Sequence, residues 1–295
     1  VLKNGGEGVG LYRTEFLYMD SDTMPDEEVQ FTAYKKVIQA FGDRPVIIRT
    51  LDIGGDKKLP YLPLEEEMNP FLGLRAIRLC FQNEELFKTQ LRAILRASAF
   101  GNAKIMFPMI SGVSEVIQGK KLLAECMKEL DDEKIAYNKD ISVGIMVEIP
   151  AAAVTADIIV PEVSFFSIGT NDLCQYTLAV DRMNQNVSYL YDPFHPAIIR
   201  LVKNVIQASH SEVGKFTGMC GEFAGDPYAT LLLMGLGLDE FSMSASSIPQ
   251  VKKIIRSVSY QQAQDIANKA LTLSTGKEVL DYIKGELDKL GITVM

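Results

Sequence analysis

The feature that most constrains the fold is a recurrence of short, unbroken apolar runs separated by longer stretches of helical period. The runs are Gly8–Tyr12, Pro45–Ile48, Lys104–Met109, Val143–Val147, Val163–Ile168, Phe216–Met219 and Asp239–Met243. Runs of this length without polar alternation suit strands buried on both faces, and helices between them suit a parallel sheet. The stretches between them carry helix punctuation. Asp26–Phe41 opens on Asp26-Glu27-Glu28, where negative charge favours a helix start, and closes on Gly42. Its expected apolar stripe is Val29, Ala33 and Val37 with Tyr34, Ile38 and Phe41. Glu84–Phe100 repeats the pattern through Leu86, Phe87, Leu91, Ile94, Leu95 and Ser98, and stops at Gly101. Ser114–Leu130, Ala197–Val213, Pro249–Ser257, Gln261–Leu273 and Lys277–Leu290 read as further helices.

Charged and reactive residues gather where the runs end: Arg13-Thr14-Glu15, Arg49-Thr50-Leu51-Asp52, Glu148, Thr170-Asn171-Asp172 and Cys220-Gly221-Glu222. In a closed (β/α) barrel the C-terminal strand ends converge on one face, and that face holds the chemistry. An open doubly wound sheet would instead put a Gly-rich loop after its first strand. Here Gly5-Gly6-Glu7-Gly8 comes before a strand. The expectation is therefore an α/β fold of the TIM-type (β/α)8 class, with residues 1–295 as a single domain. Seven strands are countable, and the first of the eight is expected upstream of residue 1. Val1-Leu2-Lys3-Asn4 carries no initiator Met and reads as part of something longer.

Composition narrows the partners. With 30 Lys+Arg against 38 Asp+Glu the net charge is −8, which argues against a phosphate backbone as the main partner. No apolar run approaches the ~20 residues of a membrane span, and the four cysteines form no CxxC pair. Reduced thiols in a cytoplasmic protein are expected, with Cys80 and Cys126 buried in helices.

Arg13, Arg49, Arg75 and Arg182 can offer forked donors to carboxylate or phosphate oxygens. Any one of them alone could equally be a surface or ion-pair residue. Arg13 and Arg49 stand apart, because each follows an apolar run and precedes a Thr. Glu148 and Asp172 end successive strands with Asn171 beside them, which suits a Mg²⁺ site completed by water and substrate oxygens. The same two carboxylates could instead form an acid/base pair or an internal ion pair with the arginines. Zinc has little support, since His195 and His210 have no spaced second ligand. Cys220, between Met219 and Gly221, is the thiol expected at the barrel mouth, as nucleophile or proton donor. Cys174 would line the site. Gly54-Gly55-Asp56-Lys57 resembles a phosphate loop without Walker spacing, and a plain turn is as good a reading. His195 reads as a loop residue with a structural hydrogen bond, and His210 as solvent-facing.

Longer motifs carry a resemblance. They are Gly8-Val9-Gly10-Leu11-Tyr12-Arg13-Thr14-Glu15-Phe16, Ile48-Arg49-Thr50-Leu51-Asp52-Ile53-Gly54-Gly55-Asp56-Lys57 and Asn69-Pro70-Phe71-Leu72-Gly73. Val147-Glu148-Ile149-Pro150, Gly169-Thr170-Asn171-Asp172-Leu173, Val180-Asp181-Arg182, Gly218-Met219-Cys220-Gly221-Glu222 and Asp239-Glu240-Phe241-Ser242-Met243-Ser244 continue them. Together they resemble the phosphoenolpyruvate-binding C-terminal domain of enzyme I of the bacterial phosphoenolpyruvate:sugar phosphotransferase system. Pyruvate phosphate dikinase and phosphoenolpyruvate synthase share some of the motifs, and a Mg²⁺-dependent enolate-forming lyase barrel is a further alternative. The stretch from Gln175 to Arg182 is more similar to enzyme I.

The resemblance implies a phosphotransferase. Arg13, Arg49, Asn171, Asp172 and Arg182, with Arg75 as a further contact, would bind phosphoenolpyruvate. Glu148 and Asp172 would hold Mg²⁺, and Cys220 would protonate the enolate. It further implies transfer to a histidine on a separate N-terminal domain and onward to the histidine-containing phosphocarrier protein. Pyruvate as product and a homodimer are implied as well. Neither His195 nor His210 has the setting of that acceptor.

Overall fold

The computed structural model describes residues 1–54, 59–62 and 65–294. Seven strands follow one another in chain order within one sheet: β1 (Val9–Tyr12), β2 (Val46–Arg49), β3 (Ala103–Phe107), β4 (Ser142–Val147), β5 (Phe165–Ile168), β6 (Phe216–Met219) and β7 (Glu240–Phe241). Helices separate them. The fold class is the expected α/β one, with the strand order of a TIM-type barrel, and every strand overlaps the apolar run that predicted it. Beyond Gly54, the possible phosphate loop at Gly54-Gly55-Asp56-Lys57 lies outside the described residues. Two compact units divide the chain, residues 11–146 and residues 1–10 with 147–295.

In the 11–146 unit, β2 and β3 pair in parallel from Val46 opposite Ala103 to Arg49 opposite Met106, and β3 pairs with β4 from Lys104 opposite Ser142. All four β2 residues are buried, which explains its lack of polar alternation. The helix Glu27–Phe41 starts at Asp26, whose side chain accepts the Val29 N–H at 2.8 Å. Its buried face differs from the expected stripe. Gln30, Tyr34 and Ile38 point inward, whereas Val29 is 53% exposed. The face turns because Gln30 is satisfied internally: its Oε1 accepts from Tyr18 Oη at 3.0 Å and Tyr34 Oη at 2.9 Å. Against it lies the helix Glu84–Ser98, joined by an ion-pair network. Arg92 meets Glu27 at 2.7 Å and Glu133 at 2.8 Å, and Arg96 meets Glu27 and Glu28, each at 2.7 Å.

In the other unit, β5 and β6 pair from Phe165 opposite Phe216 to Ile168 opposite Met219, with the two Phe rings stacked at 5.2 Å. β6 continues onto β7 through Gly218 opposite Glu240. The helices Thr230–Leu236 and Tyr260–Ala270 approach so closely that a Cβ at Gly235 would overlap the Ala263 carbonyl. Thr230–Leu236 has no counterpart in the sequence reading, because an apolar run of that length carries no helical stripe. The helix Tyr260–Ala270 opens with a reciprocal capping box between Ser259 and Gln262. Among the described residues no helix is long and apolar enough to cross a membrane.

Candidate functional site

In the 11–146 unit Arg49 and Arg75 are buried in ion pairs. Arg49 ends β2, and Arg75 comes close because Ala76 N donates to Ile53 O at 2.9 Å. Both guanidiniums converge on Asp52: Arg49 Nη1 lies 3.0 Å from Oδ2, and Arg75 Nη2 lies 2.9 Å from Oδ1. Arg49 also reaches Glu15 Oε1 through Nη2 at 2.6 Å and Met146 Sδ through Nη1 at 3.6 Å. Asp52 is 2% exposed, Arg75 and Glu15 4% each, and Arg49 6%, so the two cations and two anions cancel out of contact with bulk water. Arg13, one residue beyond β1, is exposed and makes no hydrogen bond or ion pair among the described residues. Arg49 and Arg75 are thus held in place before any ligand arrives. A guanidinium has five donors, so an ion pair orients it without exhausting it.

Asp52 is the hinge of this arrangement, and its loss has a calculable direction. Asp52→Ala would leave two buried guanidiniums without their shared anion, a change expected to cost about 3–5 kcal/mol. Asp52→Asn keeps the shape and one acceptor, so it should lie between. Urea unfolding measures both. A loss below about 1 kcal/mol for the Ala variant would show that the pair is not desolvated in solution.

In the other unit the carboxylates gather where β4 and β5 end. Glu148 directly follows β4, and Asp172 sits in the first turn of the helix Thr170–Leu178 after β5. Gly169 N donates to Val147 O at 3.0 Å, which draws these two strand ends together. Glu148 is 2% and Asp172 6% exposed. Arg182 returns to Asp172, Nη1 to Oδ1 at 2.7 Å, and its own N–H donates to Gln175 Oε1 at 3.1 Å. The internal ion pair that the sequence left open for Asp172 is therefore present.

Asn171 Oδ1 accepts the Glu222 N–H at 3.0 Å, tying this helix to the segment after β6. That segment begins at Cys220, which is half-buried; its N–H donates to Ile168 O at 3.0 Å and its thiol lies 3.7 Å from the same carbonyl. Gly221 permits the approach, since a Cβ there would overlap the Thr170 hydroxyl and come within 2.7 Å of Thr170 N. Four predicted site residues, Asn171, Asp172, Arg182 and Cys220, are thus linked through one helix and one strand end. Glu148 and Asp172 are both buried and offer only carboxylate oxygens, and among the described residues no group of three or more His, Cys, Asp or Glu is arranged to hold a metal. Carboxylate oxygens suit a hard cation that takes few protein ligands, as Mg²⁺ does.

The remaining thiols are inert by position. Cys80, Cys126 and Cys174 are buried, and burial pushes the thiol up to about 12 for Cys126 and about 11 for Cys174, with Cys80 raised further. His195 makes the structural bond expected of it, Nδ1 accepting Ala197 N–H at 3.1 Å as the cap of the helix Pro196–His210. His210 is exposed, with Nε2 2.8 Å from Asp239 Oδ2. The sequence reading quoted Glu15 and Asp52 as strand-end residues without giving them work. The three-residue step from Arg49 to Asp52 was the available signal.

The family described as PEP-utilising enzyme, PEP-binding domain, matches residues 1–260. A phosphoenolpyruvate-protein phosphotransferase of Listeria monocytogenes is 60% identical over 284 residues, which are 96% of this chain and 50% of that protein. The protein of the same name from Priestia megaterium is 58% identical over 96% of this chain and 49% of its own length. The chain spans about half the length of the curated relatives it matches. A solved citrate lyase beta subunit from M. tuberculosis is a distant likeness, 15% identical with a TM-score of 0.45 over 87% of this chain and 100% of its own. Matched from before its first strand through the helix Ile248–Ile255, the chain belongs to the PEP-utilising enzyme family, as a PEP-binding domain of that family.

Proposed function

We propose that this chain binds phosphoenolpyruvate and Mg²⁺ and serves the phosphoryl-transfer step of a phosphoenolpyruvate-protein phosphotransferase. The observation that carries the reading is the preorganisation of the strand-end groups, with Arg49 and Arg75 clamped by Asp52, and Arg182 clamped by Asp172. The substrate concentrates about three negative charges in a few ångströms, and fixed donors are worth most where water is excluded. In this reading Arg13, Arg49, Arg75, Asn171, Asp172 and Arg182 hold the substrate. Asp172 and Glu148 hold the cation, which when bound would add positive charge beside the phosphate oxygens.

The P–O bond of phosphoenolpyruvate breaks as a bond from phosphorus to a histidine nitrogen forms, leaving the enolate of pyruvate. Cys220 delivers its thiol proton to the methylene carbon and later regains one from solvent. The acceptor histidine belongs to a separate N-terminal domain, from which the group passes to the histidine-containing phosphocarrier protein. This would be the first step of sugar uptake by the phosphotransferase system. Cytoplasmic location and homodimerisation belong to the same proposal. The alternative, a dikinase or synthase domain with the same site, has less support, since the relatives at 58–60% identity carry the phosphotransferase name.

Titration calorimetry tests it directly. The chain should bind phosphoenolpyruvate, and Mg²⁺ should tighten that binding. In Asp172→Ala the Mg²⁺-dependent tightening should vanish, a loss of about tenfold or more in affinity. Equal binding with and without Mg²⁺ in the unsubstituted chain would refute the reading.

A further inference from the structure

A buried chain of hydrogen bonds runs from the helix Glu84–Ser98 to the segments that carry Arg13 and Arg49. Gln90 is 0% exposed, on the apolar face of the helix Glu84–Ser98 between Phe87 and Ile94. A primary amide there is costly unless each of its groups is satisfied. Both arms of Gln90 are engaged. Its Oε1 accepts the Leu51 N–H at 2.8 Å. Its Nε2 donates to Thr14 Oγ1 at 3.2 Å and to Tyr34 Oη at 3.1 Å. Thr14 in turn donates to the Arg49 carbonyl at 3.0 Å, and Tyr34 donates to Gln30 Oε1 at 2.9 Å.

The donor directions are consistent throughout. Each hydroxyl accepts from Gln90 and passes its own proton on, so the amide orientation is dictated by its neighbours. The two segments that Gln90 grips are those that bear the arginines. Thr14 follows Arg13, and Leu51 lies between Arg49 and Asp52. Arg13 has no ion-pair partner among the described residues, so its backbone is what orients it.

We infer that Gln90 is a positioning residue for phosphoenolpyruvate recognition, fixing the backbone from which Arg13 and Arg49 reach the substrate; this rests on the substrate reading proposed above. Satisfying the buried Leu51 N–H is a structural reason for an amide here, so the positioning role is separated from it by affinity measured on folded variants. Gln90→Met removes the three bonds at similar volume. Gln90→Glu keeps the shape but turns the two-donor arm into an acceptor, so that Thr14 must donate to it and release the Arg49 carbonyl.

The test is calorimetry with phosphoenolpyruvate and Mg²⁺ on the 295-residue chain, with thermal unfolding in parallel. Both Gln90 variants should remain folded and bind phosphoenolpyruvate about tenfold more weakly or worse, since small displacements of positioning groups have large effects. Tyr18→Phe removes only the bond from Tyr18 to Gln30, at the far end of the chain of bonds. It should lower Tm while leaving the dissociation constant within about twofold, which separates positioning from stability. Normal affinity in a folded Gln90→Met or Gln90→Glu would overturn the inference alone. A Tyr18→Phe variant weakened as much as the Gln90 variants would also overturn it, by making general loosening the cause. Absence of binding by the unsubstituted chain would overturn the substrate reading and this inference with it.

Discussion

Cys220→Ser is expected to lower turnover by about 10²–10⁴-fold while leaving phosphoenolpyruvate affinity within about twofold. The expectation follows from where this thiol sits. It is half-buried, immediately past β6, and anchored by backbone and side chain alike to Ile168 O. A hydroxyl of similar size can occupy that place and keep the contact, so binding has no reason to change. It holds its proton far more tightly than a thiol, so delivery to the enolate carbon slows. The other three cysteines cannot substitute, because each is buried. The measurement combines this chain with a histidine-bearing domain from a phosphoenolpyruvate-protein phosphotransferase, and follows pyruvate release and calorimetric affinity together. A large rise in dissociation constant with normal turnover would make Cys220 a binding residue and remove it from proton transfer.

What the sequence revealed and what it hid divide along physical lines. Strands were legible because each coincides with a short apolar run; β2 and β5 are buried along their whole length, and β1 and β7 are half-buried. The candidate site residues stood out because they are charges and a thiol at the ends of such runs, and the structure puts several of them into buried ion pairs. Pairings across space were not legible. Nothing in the local sequence ties Arg75 to Asp52, twenty-three residues apart, or Asn171 to the Glu222 amide, fifty-one apart. The rotated face of the helix Glu27–Phe41 was missed for a related reason. Apolar periodicity selects Val29, but the buried hydroxyls of Tyr18 and Tyr34 need Gln30 as acceptor, and satisfying them decides the rotation. Gln90 left a trace of the same kind, a polar residue at an apolar position. Such an exception is informative, because burying it without partners would be penalised.

Incubation of the chain with ³²P-labelled phosphoenolpyruvate and Mg²⁺ is expected to give saturable binding and no covalent label. The chain holds two histidines, and each commits one ring nitrogen to a structural partner. His195 caps the helix Pro196–His210 by accepting the Ala197 N–H on Nδ1, so one ring nitrogen is committed to helix initiation. His210 sits in the last turn of the same helix with Nε2 on Asp239, whose Oδ2 also accepts the Thr217 N–H at 2.8 Å. A phosphoryl acceptor needs a free ring nitrogen in line with the breaking P–O bond, and departures from that alignment cost orders of magnitude in rate. Phosphorylating His210 would further set a dianionic group against the Asp239 carboxylate. Label should therefore appear only when a separate histidine-bearing domain is added, and it should reside on that domain, acid-labile and alkali-stable. Stoichiometric, acid-labile label on the chain by itself would place the acceptor within it. His195→Ala, which keeps the Pro196 start of the helix but removes the ring, would then be the variant to lose it.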